Sequence, residues 1–430
     1  MKNIPLPAIA HLLGLHSQAL TQVSGYQIDS RCIAPQNLFF ALPGEKTDGH
    51  HHLKDAASRG ALAAVVSAQY RGPDHGLTLL PVPDVLTTLQ TLARHFAHQS
   101  KAKIVAVTGS MGKTTTKDFI ATLLEGKFRV GKTYSSYNTR LTLPITVLNQ
   151  SGDEEILVLE MGMGEAGDIA KLVEIAPPDV AVLTKVGLAH YGALFAQLSD
   201  IARAKGEIFG HPKTRRAIVY HGFNEVPIPF EKVTFSLTDL SADYSFSDEM
   251  IRERTFHSPP LHVPFPQPHV RYNFLAAAAV ARGFGMNWEE IAEQIPKLRL
   301  PKMRQEMFEK GGIVFINDAY NANPESMIAA LSCMPKGRRI GVLGRMVDLG
   351  PFSKSSHEEV GRFAATRLDY LLTYAEEAKP LHEAFAREEA EHFLDFDALT
   401  ARLKELIRPG DVVLVKGSRD LQMERVFDKL

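Results

Sequence analysis

Short apolar runs alternate with amphipathic segments over the first hundred residues of the chain. The runs Leu38 to Leu42 and Ala61 to Val66 predict strands, and the turn-forming pair Pro43 and Gly44 follows the first of them. A helical pattern over Val85 to His98 gives way to polar residues before the next apolar run. This part of the chain, residues 1–99, is therefore predicted to form a small α/β unit.

The alternation continues from residue 104 with helices between the strands. The predicted strands are Ile104 to Val107, Ile156 to Leu159, Val180 to Leu183 and Ala217 to Tyr220. Strands that alternate with helices favour a parallel sheet covered on both faces. A proline-rich stretch, Val226 to Pro268, interrupts the pattern without a clear prediction, and a helix over Asn273 to Arg282 resumes it. Residues 100–298 are predicted to form a central parallel-sheet domain.

A third alternation follows a segment that prolines mark as a linker. Lys297 to Lys302 lies beside Pro296 and contains Pro301, and each proline disfavours helix in the residue before it. Beyond the linker, the predicted strands are Ile313 to Ile316, Arg339 to Leu343, Tyr370 to Thr373 and Val412 to Val415. Residues 299–430 are therefore predicted to form a Rossmann-like domain, which makes the chain an α/β protein of three domains.

Composition narrows the functional classes. The 430 residues include 48 Lys and Arg against 49 Asp and Glu, so the formal net charge is −1 and we expect no nucleic-acid partner. Hydrophobic residues make up 45% of the chain, but no apolar run approaches the length that crosses a bilayer. The two cysteines, Cys32 and Cys333, lie far apart and indicate neither a metal site nor a disulfide framework. We expect a cytoplasmic protein without membrane insertion.

The strongest chemical motif is a glycine loop between the strand that begins at Ile104 and the next predicted helix. This glycine loop comprises Thr108, Gly109, Ser110, Met111, Gly112, Lys113, Thr114 and Thr115. Its glycines let backbone N–H groups turn toward an anion, Lys113 supplies a charge for phosphates, and the Thr114 hydroxyl can hold Mg²⁺. Two residues rather than four separate the glycines, so the usual phosphate-loop spacing is not met. An ordinary strand-to-helix turn is the alternative.

Polar residues also follow the next two strands of the predicted sheet. Glu160 ends the strand that begins at Ile156, and His190 lies in the loop beyond Leu183. Ligands bind at the C-terminal ends of parallel strands, so Glu160 is a candidate magnesium ligand. Taken alone, a strand-end carboxylate is equally well explained as a solvated side chain, and a lone loop histidine is usually solvated.

Lys205 falls on the apolar face of a predicted helix, Ser199 to Phe209. Its spacing places it on the same side as Ile201, Ile208 and Phe209. A lone lysine at such a position more often extends its charge to water. The alternative is a desolvated lysine with a lowered pKa, which can react with carbon dioxide to form a carbamate and so become an oxygen ligand for Mg²⁺.

Two polar clusters lie at predicted strand ends of the last domain. In the first, Asn317 to Ser326, Asn323 as N-cap and Pro324 in the first turn indicate the start of a helix. Capping does not explain Asp318, Tyr320 or Asn321, and a polar cluster at the C-terminal end of a strand is suited to ribose or substrate contacts. The second cluster, Lys416 to Arg419, has cations that either face an anionic ligand or are solvated.

Together these motifs resemble the Mur ligases of peptidoglycan synthesis over nearly the whole chain. The matching segments are Asp29 to Arg31, Leu38 to Gly44, Asp48 to His50, the glycine loop, Glu160 to Gly162, Ala204 to Ile208 and Tyr320 to Pro324. The last segment is similar to that of the members that add D-alanyl-D-alanine to a UDP-N-acetylmuramoyl-tripeptide. The resemblance implies an ATP-dependent amide ligase, in which the tripeptide carboxylate attacks the γ-phosphorus of ATP and the dipeptide amine displaces phosphate from the acyl phosphate.

The resemblance also implies roles for the domains and for individual residues. The N-terminal domain would hold the UDP part of the substrate, the central P-loop-type domain would bind ATP, and the C-terminal domain would close over both. The implied ATP contacts are the glycine loop, His269, Asn273, Arg304 and Asp318. The implied substrate contacts are Ser30, Arg31, Gly44, Asp48, Asn138, Asn321, Asn323 and Ser326.

Four residues would carry the catalysis by this resemblance, namely Lys113, Glu160, His190 and Lys205. Thr114 and Glu160 would hold one Mg²⁺, and His190 with the carbamate of Lys205 would hold a second. The metal ions would neutralise the anions that must approach each other in the reaction. We expect the enzyme to be a monomer.

Three positions depart from the family pattern. Lys185 and Val270 stand where asparagine is usual, and Arg345 stands where aspartate is common. These positions bear on the contacts around adenine and in the closing domain rather than on the chemistry. The alternative functions are a Mur-type or folylpolyglutamate-type ligase with a different acceptor, and a nucleotide-binding module without ligase activity.

Overall fold

The computed structural model describes residues 3–16, 21–44, 47–187, 197–247 and 249–430. Within these residues the strands form three mainly parallel sheets and one short two-stranded pairing. The α/β class predicted from the sequence is confirmed. No helix in the described ranges is long and apolar enough to cross a membrane.

The first sheet is entirely parallel. The elements of this part are β1 (Ile4–Pro5), α1 (Leu6–Leu12), β2 (Gln22–Val23), β3 (Gly25–Gln27), β4 (Asn37–Phe40), α2 (Leu53–Ser58), β5 (Ala63–Ser67), β6 (Thr78–Val82) and α3 (Val85–Gln99). Strands β3, β4, β5 and β6 pair in that order, while β1 and β2 form a separate antiparallel pair. The two predicted strands correspond to β4 and β5, and the predicted helix corresponds to α3.

The second sheet contains nine strands of the described chain. Its elements are β7 (Lys103–Thr108), α4 (Lys113–Leu124), β8 (Val130–Lys132), α5 (Thr142–Leu148), β9 (Ile156–Glu160), α6 (Asp168–Ile175), β10 (Val180–Leu183), α7 (Leu198–Gly206), β11 (Arg216–Tyr220), β12 (Glu231–Ser236), β13 (Tyr244–Ser247), β14 (Met250–Glu253), β15 (Phe256–His257), α8 (Pro268–Gly283) and α9 (Trp288–Gln294). The strand order is β15-β14-β13-β12-β11-β10-β7-β9-β8. Strand β7 therefore lies between β10 and β9, where the chain order reverses and parallel sheets bind ligands.

The proline-rich stretch without a sequence prediction extends this sheet. Strands β12 to β15 lie within it, and β14 and β15 pair antiparallel. Helix α8 begins at Pro268, before the predicted start at Asn273. Proline in the first turn is compatible with a helix because its missing N–H would have no partner there.

The third sheet belongs to the last part of the chain. Its elements are β16 (Glu306–Lys310), β17 (Ile313–Asn317), α10 (Pro324–Ser332), β18 (Arg338–Gly344), α11 (Ser353–Ala365), β19 (Tyr370–Tyr374), α12 (Lys379–Phe385), β20 (Ala390–Phe393), α13 (Phe396–Leu406), β21 (Asp411–Lys416) and α14 (Val426–Lys429). The order is β16-β17-β21-β18-β19-β20, parallel except for β16. Strand β16 was not predicted, because its mostly exposed residues form no apolar run.

The apolar cores show which parts of the molecule pack as one body. One core runs from the first sheet through α3 into the second sheet, where α3 packs on α5 and α6. Asn149 reinforces this junction, since its Oδ1 accepts from Tyr26 N at 3.0 Å and its Nδ2 donates to Tyr26 O at 2.9 Å. The third sheet has its own core on each face. The segment that precedes β16 therefore connects two separately packed bodies.

Candidate active site

The glycine loop makes a tight turn between β7 and α4 because two of its residues adopt positive φ angles. These are 152° at Gly109 and 79° at Gly112. A Cβ atom would lie 1.9 Å from Thr184 Oγ1 at Gly109 and 2.2 Å from Asn273 Oδ1 at Gly112. Both positions therefore require glycine. Helix α4 begins directly after Gly112, so its positive N-terminal end borders the loop.

The loop is fastened to the segment that follows β10. Ser110 N donates to Lys185 O at 2.7 Å, and the Ser110 hydroxyl donates to Gly187 O at 2.9 Å. The Thr184 hydroxyl donates to Met111 O at 2.5 Å. Ser110, which was predicted to contact ATP, fixes the loop on this neighbouring segment in the present structure. The loop conformation consequently depends on two adjacent strand ends.

Lys113 lies against the loop it was predicted to serve. Its Nζ donates to Gly109 O at 2.8 Å and approaches Ser110 O at 3.5 Å. Burial lowers the pKa of Lys113, the Glu160 carboxylate opposes that shift, and the Arg304 guanidinium adds to it. The cations of Lys113 and Arg304 therefore lie close enough to repel each other. A bound polyanion would offset this repulsion.

Glu160 is a buried carboxylate at the end of β9, with 1% of its surface exposed. Its Oε1 accepts from Asn138 Nδ2 at 2.6 Å, and its backbone N donates to the Thr133 hydroxyl at 2.9 Å. Its Oε2 is buried and has no hydrogen-bond partner among the described residues. A buried carboxylate oxygen without a donor is costly, so this atom is suited to a bound cation.

Thr114 provides a hydroxyl near the same strand ends. Its Oγ1 lies 3.1 Å from Arg304 Nη2 and 3.3 Å from Ser136 Oγ. Thr114 stands in the first turn of α4, which follows β7, and β7 pairs with the strand that ends at Glu160. No group of three His, Cys, Asp or Glu side chains capable of holding a metal ion occurs in the described part of the chain. A cation here would therefore need oxygens from hydroxyls, ligand phosphates or water.

Lys205 is almost completely buried in α7, with 1% of its surface exposed. The interpretation that its charge extends to water is therefore wrong, because the short helix packs this face into the core. Burial, together with the nearby Lys113 cation, lowers the pKa of Lys205 well below its ordinary value. This environment favours a neutral amine. His190, the residue predicted to share a metal ion with Lys205, lies outside the described residues.

A cavity of about 530 Å³ lies where the glycine loop, the start of α8 and the first strand-end cluster of the third sheet meet. It brings together predicted ATP and substrate residues from two packed bodies: Ser110, Met111, Gly112, Thr115, His269, Asn273, Arg304, Asp318, Asn321, Asn323 and Ser326. Burial lowers the pKa of His269, and the Asp318 carboxylate opposes that shift. The cavity has the volume expected of a small-molecule site.

Arg304 links the third sheet to the glycine loop. Its guanidinium lies over the Tyr320 ring, 4.2 Å from the ring centre, while Nη2 donates to the Thr114 hydroxyl. Its neighbours Met303 and Gln305 have φ angles of 58° and 54°. Two left-handed residues around one arginine are unusual outside glycine positions. This backbone directs the cation across the cavity.

Asp318 and Lys416 form a buried ion pair at the cavity wall. Lys416 Nζ lies 2.8 Å from Asp318 Oδ2 and donates to Asn321 O at 2.8 Å. Gln305 Nε2 donates to the same carboxylate oxygen at 3.0 Å. The sequence left open whether Lys416 is solvated, and its burial answers that question. Lys416 and Tyr320 belong to the two polar clusters that the sequence singled out, whereas Gln305 was not among the predicted residues.

The predicted helix start in the first polar cluster is confirmed. Asn323 Oδ1 accepts from Ser326 N at 2.9 Å, and Asn323 N donates to the Ser326 hydroxyl at 3.1 Å. This reciprocal pair caps α10. Asn323 and Ser326 therefore line the cavity with side chains that are already engaged in the cap.

The predicted substrate residues of the first sheet lie apart from the cavity. Arg31 is exposed and pairs with Asp29 at 2.7 Å. The Asp48 carboxylate accepts from His50 N at 2.9 Å, and Gly44 N donates to Thr47 O at 3.1 Å. Ser30 is buried. None of these residues lines the cavity.

The three departures from the family pattern have distinct structural roles. Lys185 is exposed and lines the cavity. Arg345 forms ion pairs with Glu377, at 2.6 Å, and with Asp420, so it joins two strand-end loops of the third sheet. Val270, in the first turn of α8, is buried in the core. Only Lys185 places a new charge in the cavity.

Three models of the Mur ligase family match successive parts of the chain. Residues 22–97 match the catalytic domain of the Mur ligase family, residues 107–281 match the Mur ligase middle domain, and residues 303–419 match the Mur ligase glutamate ligase domain. A UDP-N-acetylmuramoyl-tripeptide--D-alanyl-D-alanine ligase of Bacillus subtilis (strain 168) is 32% identical, over 95% of this chain and 93% of the relative. The chain belongs to the Mur ligase family.

Solved structures extend the comparison to the whole fold. A crystal structure of MurF from Acinetobacter baumannii has a TM-score of 0.88 at 26% identity and covers 100% of this chain and 99% of that one. MurF ligase from Thermotoga maritima in complex with ADP has a TM-score of 0.78 at 30% identity and covers 94% and 96% of the two chains. The similarity therefore includes all three sheets.

Replacement of Lys205 by methionine should stabilise the protein more at pH 7 than at pH 9.5. The unfolded lysine is protonated below its ordinary pKa of about 10.4, whereas the buried amine resists protonation, so the wild type loses stability as the pH falls through this window. The free energy of unfolding gained by Lys205→Met should increase by up to about 1.4 kcal/mol for each unit by which the pH falls. Urea unfolding in buffers purged of carbon dioxide would measure it.

Lys171→Met is the matched control, because Lys171 is exposed on α6. It should show no such pH dependence. A stability change for Lys205→Met that is the same at both pH values would contradict the neutral state of Lys205.

Proposed function

We propose that this protein is an ATP-dependent amide ligase that adds D-alanyl-D-alanine to a UDP-N-acetylmuramoyl-tripeptide. The observation that carries the proposal is a single cavity that joins the glycine loop to the segment from Asp318 to Ser326 across two packed bodies. An amide ligase needs such an arrangement because the activating nucleotide and the acceptor must meet at one carbonyl carbon. Relatives named for this reaction, similar over nearly their full length, support the choice of acceptor.

The nucleotide site is proposed to lie along the cavity. The amides of the glycine loop, Lys113 and Arg304 would hold the phosphates. His269 and Asn273, near the start of α8, would face the adenine, and Asp318 would accept from the ribose hydroxyls. The ADP complex of the Thermotoga maritima ligase supports nucleotide binding in this fold.

Magnesium ions fit the donor set of the strand ends. The unpartnered Oε2 of Glu160 and the Thr114 hydroxyl are hard oxygen donors suited to one ion. We place a second ion at His190 and a carbamate formed on Lys205 by carbon dioxide. The burial of Lys205 supports this assignment, since only a neutral amine reacts with carbon dioxide. Bound magnesium would supply positive charge between the phosphates and the attacking carboxylate.

The proposed reaction has two steps, formation of an acyl phosphate and its attack by the dipeptide amine. A carboxylate oxygen of the tripeptide attacks the γ-phosphorus, the bond to the β-phosphate oxygen breaks, and ADP leaves behind an acyl phosphate. The dipeptide amine then attacks the acyl carbon, phosphate departs with the carbon–oxygen electron pair, and the amine loses a proton. Lys113 and Arg304 would hold the oxygens of the transferred group in both steps. Asn138, which positions Glu160, would lie beside the reacting carboxylate.

The three parts of the chain would divide the substrates. Residues 1–99 would bind the UDP portion through Ser30, Arg31, Gly44 and Asp48, residues 100–298 would bind ATP, and residues 299–430 would bring the acceptor through Asn321, Asn323 and Ser326. Closure of the last domain would complete the site. We propose that the enzyme acts as a monomer in the cytoplasm.

A ligation assay with mass detection tests the function directly. Wild-type protein with ATP, Mg²⁺, UDP-N-acetylmuramoyl-tripeptide and D-alanyl-D-alanine should form the pentapeptide product with one ADP for each bond. Omission of the dipeptide, or its replacement by D-alanine or D-glutamate, should give no product, because the proposed acceptor is the dipeptide. A product formed from a single amino acid alone would indicate another acceptor. Nucleotide binding without any product would indicate a binding module.

Substitutions at the two buried lysines should have different consequences. Lys113→Ala should lower kcat by at least about 100-fold, because it removes a cation from the transferred phosphoryl group. Lys205→Ala should also be severely impaired but should recover partly in acetate or formate, whose carboxylates replace the carbamate. Steady-state ADP release with and without these anions would measure both effects. Recovery of Lys113→Ala to the same degree, or full activity of Lys205→Ala, would contradict the carbamate.

A further inference from the structure

Lys117 is a second buried lysine on α4, one turn beyond Lys113, and the proposed mechanism does not use it. Only 1% of its surface is exposed. Burial lowers the pKa of Lys117, and the carboxylates of Asp118 and Glu160 oppose that shift. A buried ammonium is destabilising unless its donors are satisfied. We therefore expect specific contacts to stabilise the buried Lys117 ammonium.

Lys117 joins α4 to the segment that follows β8. Its Nζ donates to Thr133 O at 2.8 Å and to Ser135 O at 2.9 Å, and lies 3.3 Å from Asp118 Oδ1. Lys132 also pairs with Asp118, at 2.9 Å, but its side chain is 39% exposed. Of these two lysines, Lys117 is the one that bonds to the backbone of the segment.

The segment 133–138 supports the groups proposed to bind magnesium. The Thr133 hydroxyl accepts from Glu160 N at 2.9 Å, Ser136 Oγ lies 3.3 Å from Thr114 Oγ1, and Asn138 Nδ2 donates to Glu160 Oε1 at 2.6 Å. Its conformation includes a left-handed residue, Ser135, with φ 49°. A serine holds this conformation only when its surroundings stabilise it, and the carbonyl of Ser135 is one of the two that Lys117 binds.

We propose that Lys117 is a positioning residue for the magnesium site: its ammonium fastens segment 133–138 so that Ser136 and Asn138 orient Thr114 and Glu160. The Lys117 ammonium is engaged with the carbonyls of Thr133 and Ser135 and with the Asp118 carboxylate, so it acts through these side chains rather than on the nucleotide. The outer partners of metal ligands govern metal affinity because they fix the orientation of the donors. The inference rests on the proposed function.

Lys117→Met tests the proposal, because methionine fills a similar volume without donors or charge. Calorimetric titration of a non-hydrolysable ATP analogue at several Mg²⁺ concentrations should show a half-saturating Mg²⁺ concentration raised by about 10-fold or more. Binding of the analogue without Mg²⁺ should stay within about 2-fold of wild type, because the Lys117 ammonium is engaged with Thr133, Ser135 and Asp118. Lys132→Met, which removes only the exposed pair with Asp118, should match the wild type in both measurements.

A double substitution provides a second readout. Since Lys117→Met already releases Asn138, adding Asn138→Ala should raise the half-saturating Mg²⁺ concentration by less than it does in the wild-type background. Full additivity, or an unchanged Mg²⁺ requirement in folded Lys117→Met, would overturn the proposal. So would an equal loss of analogue binding with and without Mg²⁺, which would indicate a purely structural role.

Circular dichroism and thermal unfolding establish that each variant is folded. If Lys117→Met does not fold, Lys117→Gln, whose shorter side chain keeps amide N–H donors but carries no charge, takes its place under the same criteria. Wild-type ligation run in parallel keeps the two hypotheses apart: absence of product contradicts the proposed function, whereas the Mg²⁺ dependence of analogue binding still decides the role of Lys117.

Discussion

The burial of ionisable side chains around the glycine loop and the neighbouring strand end is the constraint on which the site depends. Glu160 and Lys205 are almost wholly buried, and Lys113, partly buried, interacts electrostatically with both. Such groups are costly in a low-dielectric interior unless they are paired or coordinated. Glu160 Oε2 lacks a hydrogen-bond donor, and Lys205 is shielded from solvent. Bound metal ions and phosphates would supply the missing charges for these groups.

The packing explains how this arrangement can serve a reaction with three substrates. The first two sheets share an apolar core, so the first sheet, near which Ser30 and Arg31 lie, is held by packing relative to the glycine loop. The third sheet has cores of its own and meets the loop through Arg304. Arg304 is flanked by two left-handed residues, contacts the Thr114 hydroxyl of the other body and lines the cavity proposed to hold the nucleotide. Closure and catalysis would then be coupled at one side chain.

Much of this organisation was predictable from local pattern. The strands beside the site are continuous apolar runs, and helical patterns lie between them. This alternation predicts a parallel sheet. The glycine loop was found because its backbone requirements restrict the residue types. Strand β16 was missed since it is an exposed edge strand, and the start of α8 was placed too late since its first residue is proline. Neither feature leaves an apolar signal.

Side-chain environments were harder to predict, because burial depends on distant segments. A lysine on an apolar helix face has the same spacing whether it reaches water or not, so the burial of Lys205 emerged only from the fold. The ion pair of Asp318 with Lys416 joins residues that are far apart in sequence. Lys117 gave no pattern at all, since its partners are backbone carbonyls of another segment. Contacts of this kind carry no residue-type signature.

The most direct test of the electrostatic account is the Mg²⁺ dependence of nucleotide binding in Glu160→Gln. Glutamine retains an oxygen to accept from Asn138 but removes the negative charge and one oxygen donor. We expect Mg²⁺ to strengthen the binding of a non-hydrolysable ATP analogue to the wild type. In Glu160→Gln this enhancement should be lost, while binding without Mg²⁺ should be unchanged. A variant that retains the full enhancement by Mg²⁺ would contradict the assignment of the buried carboxylate as the cation site.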